Sequence, residues 1–60
     1  MTYSIFIRDV TSKKEELYEN YTTGLRHLLF VRVSEIETRY ENMLFEVVIR
    51  LADGTQVFNT

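Results

Sequence analysis

The clearest pattern in the chain is a strict alternation from Met43 to Leu51, in which Met43, Phe45, Val47, Ile49 and Leu51 are apolar at every second position. A period of two over this length predicts a β-strand with one buried face. Thr2 to Val10 alternates as well, with Tyr3, Ile5 and Ile7 on one face and Phe6 and Val10 on the other. Apolar residues on both faces predict a central strand, or one covered on its second side. Asp53-Gly54 is a strong hairpin dipeptide. A two-residue turn there predicts a return strand over Thr55 to Asn59, with Ile49 opposite Phe58 and Leu51 opposite Gln56.

The segment Thr11 to Thr23 has the marks of a helix. Ser12 and Glu15 match a capping box, in which each side chain satisfies a free backbone N–H at the helix start. Leu17, Tyr18, Tyr21 and Leu25 follow at helical spacing, and Gly24 suits a C-terminal stop. Arg26 to Val33 reads as a strand with Leu29, Val31 and Val33 on one face. Residues Ser34 to Asn42 read as a hairpin arm turning at Glu41-Asn42, with Thr38 opposite Phe45 and Ile36 opposite Val47. The alternative is a second helix over 34–43, since Ser34 and Glu37 form another capping-box match and Val33, Ile36, Tyr40 and Met43 have helical spacing.

Together these elements predict a single α+β domain over 1–60, in the order β-α-β-β-β, with one helix packed on one face of a small antiparallel sheet. The expected core is Ile5, Ile7, Leu17, Tyr21, Leu25, Leu29, Val31, Val33, Ile36, Phe45, Val47, Ile49 and Phe58. Leu44, Val48 and Val57 fall on the second sheet face, which one helix leaves uncovered, so a homodimer is expected to bury that face or an exposed strand edge.

Composition narrows the chemistry. Sixty residues bury a marginal core, and with no cysteine and one histidine, neither disulfides nor a structural zinc site supplement it. Self-association or a partner is the remaining source of support. A net charge of −2 without clustered Lys or Arg speaks against nucleic acid and membrane surfaces as partners. No apolar run is long enough to span a bilayer, and no secretory pattern opens the chain, so a cytoplasmic location is expected.

Candidate sites are sparse. His27 has no Ser, Cys or Asp arranged with it, and reads as an exposed histidine rather than a base. Glu35, Glu37, Glu41 and Glu46 are interleaved with Arg32, Arg39 and Arg50, as on a solvated face. Nothing matches a calcium loop or a phosphate-binding loop. No catalytic residue, metal ligand or cofactor is therefore expected. Eight aromatics exceed what so small a core needs. Tyr18, Tyr21 and Tyr40 are the expected anchors of a protein interface, with Glu35, Glu37 and Arg39 as its rim. The reading that follows is a small stand-alone protein-binding regulator, of the kind a phage or mobile element makes to inhibit a larger host protein. The alternatives are a nucleic-acid-binding dimer presenting Arg8, Lys13, Lys14, Arg26 and Arg32, and a structural homo-oligomer.

Overall fold

The computed structural model describes residues 1–59, and the side chains of residues 1–57. It is an α+β fold of four antiparallel strands and one helix: β1 (Thr2–Asp9), β2 (Glu15–Thr22), α1 (Arg26–Arg39), β3 (Phe45–Arg50) and β4 (Gln56–Asn59). The sheet order is β2-β1-β3-β4, so the two hairpins lie side by side with α1 crossing between them. The fold class agrees with the sequence, but the order is β-β-α-β-β rather than β-α-β-β-β.

Two elements differ from the sequence reading for a physical reason. The segment expected to be a helix is the edge strand β2. Its register on β1 pairs Ile5 with Glu19 and Phe6 with Leu17, leaving Tyr18 as the extra residue of a β-bulge. A bulge lets residues three apart face the same way. Tyr18 and Tyr21 both pack against the core beneath the helix, and this spacing imitates a helical stripe. The Ser12–Glu15 pair does not cap anything. Residues 9–14 are instead the β1–β2 turn, held by Asp9, whose Oδ1 accepts from the Thr11 N–H at 2.8 Å and the Ser12 N–H at 3.3 Å.

The expected strand Arg26 to Val33 and the expected hairpin arm after it form the single helix α1. Its buried residues Leu29, Val33 and Ile36 follow helical spacing. The second-helix alternative thus had the right periodicity but began eight residues too late, since α1 starts at Arg26. The β-branched and aromatic residues of RHLLFVRV favour strand locally. Burial against the sheet overrides that preference.

One face of the sheet meets the helix. Tyr3, Ile5, Ile7, Val47 and Ile49 pack with Leu29, Val33 and Ile36, and Tyr21, Leu51 and Val57 border this cluster. Leu17, Leu25 and Val31, expected in the core, are more than half exposed, and Phe45 is partly exposed. The expectation that Phe58 joins the core lies outside the described side chains. Its backbone register opposite Ile49 is as the sequence indicated, but a register shift sets Gln56 opposite Arg50 rather than Leu51.

The outer face is covered by the chain's own side chains. Thr2 and Thr22 hydroxyls hydrogen-bond at 2.9 Å, and Ser4 donates to Asn20 at 3.0 Å. The Arg8 guanidinium donates to Glu15 Oε1 at 2.6 Å and to Glu46 Oε1 at 2.8 Å, and Arg50 donates to Glu15 Oε2 at 2.6 Å. These bonds tie β2, β1 and β3 together. Arg50 also lies 5.5 Å from the Phe6 ring centroid. Val48, opposite Phe6 in this layer, is fully buried within one chain.

This layer, with the Arg32–Glu19 pair between α1 and β2, is expected to make the fold acid-sensitive. Hydrogen bonds from Arg50 and then Arg8 hold the Glu15 carboxyl below its ordinary pKa, and Arg32 does the same for Glu19. A folded pKa below the unfolded one gives stability that is complete above the unfolded value, about 4.3, and is lost as pH falls through the folded value. Urea midpoints should therefore decline between about pH 5 and pH 2. Glu15→Gln should make that decline shallower.

The two turns offer a matched comparison. The Leu51 N–H bonds the Thr55 carbonyl, the Gly54 N–H bonds the Leu51 carbonyl, and Gly54 has φ +89°. The β3–β4 connection is thus a three-residue turn with a left-handed glycine, not the two-residue turn expected from Asp53-Gly54. Lys13 occupies a similar left-handed position, φ 65°, in the β1–β2 turn. A side chain there costs about 1–2 kcal/mol. Gly54→Ala should lower stability by about 1 kcal/mol, and Lys13→Gly should raise it by up to about 1 kcal/mol. Chemical denaturation of both variants checks the opposite signs.

Candidate functional site

The aromatic residues converge where the C-terminal end of α1 passes the turn between β1 and β2. Asp9 pairs with Phe45 in the β1–β3 register, which brings the start of β3 beside that turn. Tyr40 caps the C-terminus of α1, donating its backbone N–H to the Glu37 carbonyl at 3.1 Å. Its ring stands edge-on to Tyr18, with centroids 6.3 Å apart and planes at 80°, and tilts against Phe45 at 5.4 Å. Such geometries suit the ring quadrupoles.

Tyr18 is held from three sides. Tyr40 meets it in that edge-on contact, Arg32 lies 5.9 Å from its ring centroid, and Arg39 Nη1 donates to its hydroxyl at 2.7 Å. Arg32 is itself fixed by an ion pair to Glu19, the residue after Tyr18 on β2. The wall is therefore positioned before anything binds, which reduces the ordering cost of association.

Beside this wall is an open groove of about 310 Å³ with Ile7 at its base, Leu17, Tyr18, Tyr40 and Phe45 as apolar lining, and Asp9, Ser12, Lys14 and Glu16 as polar lining. A second hollow, about 140 Å³, shares Ile7, Tyr40 and Phe45 and is bordered by Glu37, Glu41, Met43 and Glu46. Val10, Met43 and Leu44 are exposed nearby, and the Val10 N–H bonds the Leu44 carbonyl at 3.0 Å.

Of the residues expected at an interface, Tyr18, Tyr40, Arg39 and Glu37 meet at this end of the molecule. Tyr21 does not. It pairs with Tyr3 towards the far end of β2 and borders the core. Glu35 projects from α1, 61 % exposed, with Arg32 at 3.8 Å. The three residues expected to form a dimer face do not share a surface. Leu44 is exposed at the groove end, Val48 is buried, and Val57 packs against the core. The ionic layer accounts for Val48, because the outer face already has its cover. A register shift between β3 and β4, which leaves Val57 as the extra residue between Gln56 and Phe58, accompanies the packing of Val57 against the core.

The basic residues of the nucleic-acid alternative are also separated. Lys13 and Lys14 lie in the β1–β2 turn. Arg26 opens α1 just after Thr23, which bonds Met1 at the other end of β1. Arg8 and Arg32 are engaged with glutamates. Among the described residues, no three His, Cys, Asp or Glu side chains are grouped to hold a metal ion, and His27 is exposed. No helix among them is long and apolar enough to cross a membrane.

Phe45 and Leu17 escaped the sequence reading as site residues because both were assigned to the core. The bulge is what brings Leu17 and Tyr18 to the groove together. Comparison with known protein families, with curated proteins and with solved structures finds no match.

Proposed function

We propose that this chain is a non-catalytic protein-binding regulator that receives an apolar or aromatic side chain of its partner in the groove beside Tyr18, Tyr40 and Phe45. The observation that carries this reading is the preformed aromatic wall over a groove of about 310 Å³, at the low end of the size that buries a ligand group. Aromatic and arginine side chains, both present here, supply most interface hot spots. Glu46 at the smaller hollow already bonds Arg8, and the exposed carboxylate of Glu41 there favours a partner with Lys or Arg beside its anchoring residue. A regulator of this size acts by occupying a surface of a larger protein, with room for about one standard interface of roughly 800 Å² per partner.

Affinity capture from cells of the source organism tests the reading, with the wild-type chain and Phe45→Lys run in parallel. Phe45 is 38 % exposed, so the variant is expected to keep the fold, which circular dichroism checks. The expected result is a protein retained by the wild type and lost with Phe45→Lys. Equal retention by both would remove the groove as the binding site.

A further inference from the structure

One turn of α1, Leu28 to Val31, is apolar around its circumference, between Arg26 and His27 on one side and Arg32 on the other. Leu29 and Val33 face the sheet, but Leu28, Phe30 and Val31 on the same two turns are 39, 47 and 54 % exposed. Leu25, the N-cap residue, is 54 % exposed and makes no side-chain cap, at a position where Ser, Thr, Asp or Asn would stabilise the helix. The solvent side of the C-terminal half is different: Ser34, Glu35 and Thr38 are exposed and polar. A helix segment that is apolar all round is normally covered.

The order of charge along the helix indicates what covers it. Arg26 and His27 stand at the N-terminal end, with no acidic residue in the first turn, and Glu35 stands two turns further on. His27, Val31 and Glu35 form one i, i+4 row on the solvent side. A second copy approaching antiparallel on a two-fold axis beside Val31 sets the basic end of each helix near Glu35 of the other. It also opposes the two helix dipoles. A parallel approach would instead set Arg26 near Arg26 and Glu35 near Glu35, which repel. The row is thus complementary to itself in one direction only.

We propose that two copies of this chain associate through the N-terminal halves of their α1 helices, antiparallel, around Leu28 and Val31. The contact shares no residue with the groove beside Tyr40, so each copy retains its own groove. Contact between two single helices falls at the small end of interfaces, below about 1,200 Å² in total, so the dimer is weak and concentration-dependent.

Sedimentation equilibrium from about 5 µM to 1 mM covers the range in which so small an interface dissociates. The expected result is a reversible monomer–dimer equilibrium in the full chain. Val31→Glu, at an exposed position, should raise the dissociation constant by roughly 30-fold or more by placing two carboxylates on the axis. Glu35→Arg alone and His27→Glu alone should each weaken the dimer, and the double variant should restore it. Circular dichroism confirms that each variant is folded. A clean monomer at 1 mM would overturn the proposal. So would a dimer indifferent to Val31→Glu, or a double variant no tighter than the two single ones.

Discussion

Ile5→Ala is expected to remove about half or more of the chain's folding stability. Ile5 is fully buried on the central strand β1, opposite Ile49 and beneath α1. Removing a buried isoleucine to the β-carbon costs about 2–5 kcal/mol, through lost transfer energy and a residual cavity. At about 0.05–0.15 kcal/mol per residue, a chain this short has only about 3–9 kcal/mol to lose. The same substitution at Phe45 is the control. The sequence places Phe45 in the core, where a loss of about 3–5 kcal/mol would follow. Its partial exposure at the groove lowers that expectation, and Phe45→Ala should remain folded. Urea denaturation followed by circular dichroism separates the two. Equal losses at both positions would mean that the core is not centred between β1, β3 and α1.

Tyr40→Ala should weaken binding of the captured partner by roughly 30-fold or more, the loss of about 2 kcal/mol typical of a hot-spot aromatic. Tyr40 is the shared member of both ring contacts and lines both hollows. Its removal opens the wall and releases Tyr18 from one of its three supports. Tyr40→Phe keeps the ring and should bind within a few-fold of the wild type. Calorimetric titration of the purified partner measures both variants, and thermal melts separate lost binding from lost fold. Parity between Tyr40→Ala and the wild type would show that the partner binds elsewhere.

The elements that the sequence placed well are those whose pattern is set by a regular strand. β1 and β3 carry uninterrupted alternation, and the second hairpin was found from Asp53-Gly54 with the correct pairing of Ile49 and Phe58. The misread elements are those whose pattern another element determines. In β2 the bulge at Tyr18 turns a strand into something with three-residue spacing, and only pairing with β1 reveals it. In α1 the apolar residues on the solvent side hid the stripe of Leu29, Val33 and Ile36 behind an equally good strand alternation.

The site was half visible for the same reason. Tyr18, Tyr40, Glu37 and Arg39 were picked out as interface material from residue type alone. Their convergence depends on Arg26–Arg39 forming one helix between the two hairpins, which carries Tyr40 back to the β1–β2 turn. Phe45 and Leu17 were hidden by being apolar in what read as core positions. The ionic layer of Arg8, Glu15, Glu46 and Arg50 was not legible either, since it needs three strands in register. With that layer absent from the reading, Val48 seemed to lack a cover and a dimer face was assigned to it.

Site-specific photocrosslinking in the source organism tests the central claim most directly, with a photoreactive amino acid placed at Leu44 on the groove end or at Asn20 on the outer sheet face. Both positions are exposed, so neither replacement disturbs the core. The account predicts a covalent adduct to a larger protein from position 44 and none from position 20. An adduct from position 20 alone would contradict it, and so would the absence of any adduct from position 44.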